Sequence, residues 1–482
     1  MILLAALRDR FAGRVLSLAG ASFLQALLSI ALFPLATRIL GAADFGVYAL
    51  MMSVVTLATA LADGGAGLAL PAHYGPLERE QRGRLLATFF SVSGVLSVGL
   101  AIVLMLAWPW RGLLSPDLGD NLSFMIALLC ALLIPLRAAG VVATTTFSVS
   151  GRGAAIAGQI CAQALATFCG TLAGLFVLRL GVVSLFFGAV CGAFANVATA
   201  ALLLGQEPWR RPARRWLAVA LANAPTAAFA GLVDGVRAVA ENALIGRSAS
   251  LRAIGYYAHA KLYYSLALMG TNAVAHNMWA PSLGEARQPE PAFPQTGQIW
   301  SLVHMVVALA GIGTVVFGDL VISVLTNDTL TPAARFLPWL FIILLVHLSG
   351  RSALALLFAE GLGAEITRRR AAIALAALAA LPLIVADFAG IGLDLGIPGV
   401  LLVLFAEALI YRLYLRYRSS AFGTLPFQDG WALAGVIAIA GFAGWREMLE
   451  PPLWALVLAF LGFVAVSLPL IVFRALGLKK RW

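Results

Sequence analysis

Asp234, Arg237 and Glu241 lie within an apolar stretch, 217–246, that is long enough to cross a bilayer. At about 100° per residue they share one helical stripe, and Asn223 falls on that stripe two to three turns earlier. A charge at mid-bilayer costs roughly 2.5–3.5 kcal/mol on insertion scales, so three on one face should turn away from lipid. Two readings follow. One is a buried Asp234–Arg237 pair that fastens two helices; the other is one wall of a watery, solute-accepting cavity. The functional default for intramembrane ionisable residues favours the cavity.

The next apolar run, 253–281, places Tyr257, Lys261, Tyr264, Asn272 and His276 on one broad face. Lys261 and the tyrosines suit an anionic, hydroxyl-rich ligand. Equally, Lys261 is a partner for Glu241 or Asp234 across the helix hairpin. Arg137 and Arg351 occupy corresponding places in the two halves of the chain to within one helical turn. Twin arginines bind phosphates or snorkel to the inner surface as packing, and packing is the nearer reading. Asp63 precedes Gly64 and Gly65, where a helix bends and exposes carbonyls. It is either a cation-coupling carboxylate or a bend residue satisfied by neighbouring backbone. His259, His304 and His347 are isolated and read as hydrogen-bonded core residues.

These residues need long helices to hold them. Of 482 residues 61% are hydrophobic and 11% charged, and the mean hydropathy is +0.94. A soluble domain carries about 25% charged residues, so the expected class is an all-α polytopic membrane protein. The net charge of +11 would point to nucleic acid in a soluble chain; here it lies in short loops and sets orientation. Cys130, Cys161, Cys169 and Cys191 lie inside apolar runs without metal-ligand spacing. No phosphate-cradling Gly-Lys-Ser/Thr loop, no His-Glu-x-x-His and no Gly-x-Ser-x-Gly is present. No loop is long enough for a catalytic domain. The expectation is a transporter and not an enzyme, with no cofactor and no metal.

Fourteen apolar runs of membrane-crossing length lie between residues 15 and 473. With the amino terminus in the cytoplasm, 22 lysines and arginines fall in inside loops and ends and 7 in outside loops. A missed span would invert everything after it and destroy that bias, so both termini are expected inside. Outside labelling should then reach positions 115 and 328 but not 212 and 369. The chain also repeats. Gly46-Val-Tyr48-Ala49 returns as Gly255-Tyr-Tyr257-Ala258 at an offset of 209, and Gly140, Gly151 and Gly153 return as Gly350, Gly361 and Gly363 at 210. An even number of spans separates the copies, so the halves relate by a pseudo-two-fold along the membrane normal. The expected division is a six-helix lobe over 1–205, a basic cytoplasmic linker over 206–216, a second six-helix lobe over 217–418 and two extra helices over 419–482.

The run from Arg38 through Gly41, Asp44, Phe45, Gly46, Tyr48 and Ala49, followed by a span with Asp63-Gly-Gly-Ala-Gly-Leu, resembles the start of polysaccharide transport flippases. These belong to the multidrug/oligosaccharidyl-lipid/polysaccharide exporter superfamily. The resemblance implies two six-helix lobes around a central cavity and alternating access. It also implies a substrate, an undecaprenyl-diphosphate-linked oligosaccharide moved from the inner to the outer leaflet of a bacterial plasma membrane for O-antigen or exopolysaccharide export. Membrane lipids and polymerase or export machinery are the implied partners, and a cation gradient or the membrane potential the implied drive. Where many members carry a basic residue after the second-span glycine, this chain reads Pro71-Ala-His73. The substrate-binding candidates therefore come from the charges themselves: Arg237, Lys261, Asp234, Glu241, Tyr257, Tyr264, Asn223, Arg137 and Arg351, with Asp63 for coupling. The runner-up is a multidrug and toxin extrusion antiporter, whose cavity should be net acidic with aromatic cages. Arg137, Arg237, Lys261 and Arg351 against Asp63, Asp234 and Glu241 tilt the count toward an anion.

Overall fold

The computed structural model describes residues 10–74, 77–118, 124–205, 210–286, 296–385, 393, 395–420 and 428–479. All regular structure among them is helical. Met1–Gly255 and Tyr256–Trp482 form two compact units. The first holds α1 (Arg10–Leu40), α2 (Ala42–Leu61), α3 (Ala66–His73), α4 (Arg79–Ala107), α5 (Phe124–Val149), α6 (Gly153–Leu172), α7 (Val183–Leu204) and α8 (Arg214–Ser248). Helix α9 (Leu251–Ala286) begins in that unit and continues into the second. There it is followed by α10 (Thr296–Thr326), α11 (Leu337–Leu348), α12 (Arg351–Ala359), α13 (Gly363–Val385), α14 (Gly396–Ser420), α15 (Gln428–Leu449) and α16 (Leu453–Lys479).

Ten helical segments among the described residues are long and apolar enough to cross a membrane. The other four expected spans, 217–246, 253–281, 370–390 and 453–473, coincide with α8, α9, α13 and α16 over their described residues. Helix α8 has 35 residues, more than the roughly 20 a span needs.

Small residues bring the helices of the first unit together. Gly46 on α2 and Gly255 on α9 are reciprocal: a Cβ on Gly46 would collide with the Leu251 carbonyl, and one on Gly255 with the Ala42 carbonyl. The repeated glycines of the sequence thus mark one close crossing. On α8, Gly231 faces Ala60 and Gly235 faces Leu57 of α2, with added Cβ atoms 2.9 and 2.8 Å from the nearest side-chain carbons. This four-residue spacing lets backbones approach where lipid supplies no hydrophobic drive. Contacts with α2, α3 and α4 place α8 with the first unit by packing, whereas the sequence repeat would open the second half at 217. The described part of the 206–216 segment is no loose tether: Trp216 is buried beside Leu70, Phe89 and Val142, and the Ala213 N–H donates to Thr88 Oγ1 at 3.1 Å.

Helix α2 ends before Asp63, and Gly64 and Gly65 take φ of +61° and +83°, left-handed backbone that glycine adopts without a Cβ penalty. In the second unit the break falls at Ser349-Gly350, with Gly350 at φ +90°. Gly151 and Gly361, at the 210 offset, both take positive φ, +68° and +79°, and both follow a helix end. The pair Gly140 and Gly350 does not match in this way: Gly140 stays inside α5. Its absent Cβ makes room for Asn196, whose Oδ1 would lie 2.9 Å from that carbon. The second unit packs α10, α11, α15 and α16 around Trp300, Ile312, Phe341, Leu345, Ile439 and Leu456. Arg446 of α15 pairs with Asp319 and the Val315 carbonyl of α10.

Two outcomes are expected. Gly46→Ala forces α2 and α9 apart and lowers the melting temperature of detergent-solubilised protein, as overpacking of about 1–3 kcal/mol should. In a background with the four native cysteines replaced by serine, an impermeant thiol reagent labels Asp328→Cys in sealed cells but not Pro212→Cys or Arg369→Cys. Ser115 is a poor outside probe, because it is buried with its hydroxyl 3.4 Å from the Gly246 carbonyl. The exposed neighbour Asp117 takes its place as Asp117→Cys.

Candidate functional site

Helix α8 arranges its charges as the 100° period requires. Arg237 Nη2 lies 3.4 Å from Asp234 Oδ1, and its Nε lies 3.6 Å from Glu241 Oε1. One guanidinium therefore serves two carboxylates, one turn before and one turn after it. The expected buried pair needs correction here. The Asp234 side chain is 56% exposed, whereas that of Glu241 is 1% exposed. Glu241, not Asp234, is the carboxylate whose burial demands a cation. The side chain of Asn223, expected on the same stripe, lies outside the described residues, as do those of Asn272 and His276.

In the second unit, Lys261 Nζ stands 5.2 Å from the centre of the Tyr257 ring, a cation–π contact one turn along α9, and Tyr257 is fully buried. Tyr264 packs against the α10–α11 core. His259 is buried with Nε2 3.2 Å from the Tyr263 hydroxyl, a core histidine as its isolation suggested. Arg351 opens α12 directly after the Gly350 break, with Arg370 and Tyr411 as charged and polar neighbours. Arg137 sits mid-helix on α5, so the two arginines occupy different local structures in spite of their sequence register.

Within the first unit, Arg137 and Asp63 line one cavity of about 600 Å³ together with Thr56, Thr59, Gly140, Thr144, Thr145, Gln163 and Asn196. Asp63 does act at the helix bend: its Oδ2 accepts from the Gly67 N–H at 3.2 Å and caps α3. Its Oδ1 is buried without a hydrogen-bond partner, so the bend leaves one carboxylate oxygen unused. Arg137 forms no ion pair with a described residue; Tyr48 and Cys130 are its ionisable neighbours.

Sequence reasoning that followed charges passed over the amides beside this cavity. Thr144 Oγ1 donates to Gln159 Oε1 at 3.3 Å, Gln159 Nε2 to Asn196 Oδ1 at 3.1 Å, and Asn196 Nδ2 to Gln163 Oε1 at 2.8 Å. The signal was present, since Gln159 and Gln163 are four apart in one apolar span and Asn196 stands alone in the next. Close α6–α7 packing makes the relay. A Cβ on Gly188 or Gly192 would run into Thr171 or Thr167, and one on Gly170 would lie 2.9 Å from the Cys191 Cβ.

This helical architecture is similar in fold to solved transporters. The lipid II flippase MurJ in an inward closed conformation matches with a TM-score of 0.71 at 13% identity, covering 95% of this chain and 97% of that one. An inward-facing multidrug resistance MATE family transporter matches at 0.66 and 15% identity, covering 84% and 98%. A superfamily transporter from Pyrococcus furiosus, described by the reverse polarity of its binding pocket, matches at 0.57 and 15% identity, covering 85% and 96%. No curated protein sequence matches the chain. Residues 35–335 match the polysaccharide biosynthesis protein family, and the chain belongs to that family. The solved structures that share this fold include a lipid flippase and multidrug transporters.

The α8 geometry has a measurable consequence. Arg237→Ala removes a partner of buried Glu241 and should destabilise by an amount approaching the roughly 3–5 kcal/mol of a broken buried pair. Asp234→Asn, at the exposed end, should stay within about 1 kcal/mol of wild type. The double change Arg237→Gln/Glu241→Gln should be more stable than Arg237→Ala. Thermal unfolding in one detergent reads all three.

Proposed function

We propose that this protein is a flippase that carries undecaprenyl-diphosphate-linked oligosaccharide from the inner to the outer leaflet of a bacterial plasma membrane by alternating access, for O-antigen or exopolysaccharide export. The carrying observation is the family match over residues 35–335, which contains every candidate site residue except Arg351. The fold shared with a lipid flippase supports it. So does the physics of such a cargo: the lipid tail stays in the bilayer while diphosphate and sugars need cationic, hydrogen-bonding walls to replace water. In this reading the chain makes fourteen crossings with both termini cytoplasmic. Lys261 and Arg237 are each diphosphate contacts, Tyr264 and Asn223 are each sugar contacts, and Arg351 receives phosphate near the inner surface. Asp63 is the coupling carboxylate, driven by a cation gradient or the membrane potential. Polymerase and export machinery receive the product.

One observation favours a second reading, a cation-coupled multidrug antiporter. Arg237 is flanked by two carboxylates, so the α8 stripe carries one net negative charge, which suits an organic cation. The folds of multidrug transporters are equally compatible.

Charge reversal separates the two. Lys261→Glu should abolish glycan export in cells while the protein stays in the membrane, and Lys261→Arg should retain part of it, because charge survives but the compact ammonium geometry does not. Wild-type glycan export by Lys261→Glu would remove Lys261 from the anion path. Resistance to cationic dyes conferred by the wild-type protein, with no glycan phenotype on its deletion, would favour the antiporter.

A further inference from the structure

We infer that the cavity inside the first unit is a pocket for a glycosyl unit: it binds a sugar ring of the cargo, not its diphosphate. This deepens the flippase reading and rests on it.

The relay described above consumes the carbonyl oxygen of Gln163 and leaves its Nε2 without a further bond to a described residue. A chain of hydrogen bonds running in one direction polarises its last donor, so Gln163 ends the relay as a strengthened donor on the cavity wall. Arg137 adds a guanidinium with five N–H groups and no ion pair with a described residue.

Asn196 keeps the second of its Nδ2 hydrogens, and the hydroxyls and the carboxylate accept. Thr56, Thr59 and Thr145 donate their hydroxyl hydrogens to the carbonyls of Met52, Val55 and Val141 at 2.8, 2.8 and 2.9 Å. Each keeps lone pairs and has no hydrogen left to offer. Asp63 Oδ1 is a further acceptor, buried and unpartnered. With Thr144 Oγ1, whose hydrogen goes to Gln159, the wall presents three donor groups and five acceptor groups around about 600 Å³, within the range of roughly 300–1,000 Å³ usual for small-molecule sites.

That pattern discriminates among ligands. A diphosphate only accepts, and here it would meet a carboxylate and four hydroxyl oxygens that cannot donate to it. An organic cation would meet the Arg137 guanidinium. Sugar hydroxyls donate and accept at the same time, so one ring satisfies both sets. A buried polar group left unpaired costs about 1–3 kcal/mol, so a ring bearing several hydroxyls is favoured over any ligand of one polarity.

The test uses full-length protein in lipid nanodiscs and two probes: undecaprenyl-diphosphate-linked oligosaccharide extracted from the producing cells, and undecaprenyl diphosphate without sugar. The readout is the ratio of their affinities. Wild type should favour the glycan-bearing lipid by at least about tenfold. Gln163→Met, which keeps volume and removes the amide, should erase most of that preference, a change of about 1.4 kcal/mol for tenfold. Thr59→Val, nearly isosteric, tests the acceptor side, and carries the result if Gln163→Met does not fold. A wild-type ratio retained by the folded variants overturns the inference, and so does a ratio of one in wild type, which would mean a cavity filled by water. Failure of wild type to bind either lipid is a different result, because it overturns the flippase reading itself.

Discussion

Close approach of helix backbones at glycine is the constraint on which the rest of the first unit depends. In lipid, burial of apolar side chains gives little drive for helix association, so packing and interhelical hydrogen bonds must supply it. Gly46 and Gly255 set the α2–α9 crossing, Gly231 and Gly235 set α2 against α8, and Gly170, Gly188 and Gly192 set α6 against α7. The last contact brings Gln159 and Gln163 within reach of Asn196. Gly140 leaves the space that Asn196 occupies. Remove these glycines and the polar wall of the cavity has no means of assembly.

Charge is placed by the same economy. Arg237 satisfies one exposed and one buried carboxylate on a single helix face, so this three-residue stripe of α8 has a net charge of minus one. Arg446 ties α15 to α10 through Asp319. Glu365 of α13 accepts from Arg418 and Tyr414 of α14 at 2.9 and 3.3 Å. Arg137 and Asp63 are different, because they line one cavity and form no ion pair with each other. Opposite charges left apart keep donors and acceptors available to a ligand.

Much of this was legible in the residues. Composition and run length give an all-helical membrane protein, and the glycine repeat singles out Gly151 and Gly361, which both form turns, and Gly46 and Gly255, though as equivalent positions and not as partners in one crossing. The spacing of Asp234, Arg237 and Glu241 gives their ion pairs directly, because intrahelical geometry is fixed by sequence distance alone. Which carboxylate is buried was not legible, since that depends on how α8 rotates against α2. The amide relay was missed because single uncharged amides give little hydropathy signal. The meeting of Arg137 with Asp63 depends on packing between α2 and α5, which no periodicity encodes. Register between the halves misled at Arg351, where the second unit breaks its helix at Gly350 and the first keeps α5 continuous through Gly140.

The central claim is movement of a lipid-linked glycan across the bilayer, and its most direct measurement is topological. Purified protein would be reconstituted into liposomes that carry the undecaprenyl-diphosphate-linked oligosaccharide in both leaflets, and the glycan accessible to an added impermeant glycosidase would be followed with time. The account predicts that, under an imposed cation gradient or membrane potential, digestion proceeds beyond the outer-leaflet fraction only in vesicles that contain the protein. Digestion that stops at the outer-leaflet fraction with and without protein, while the same vesicles transport an organic cation, would contradict it.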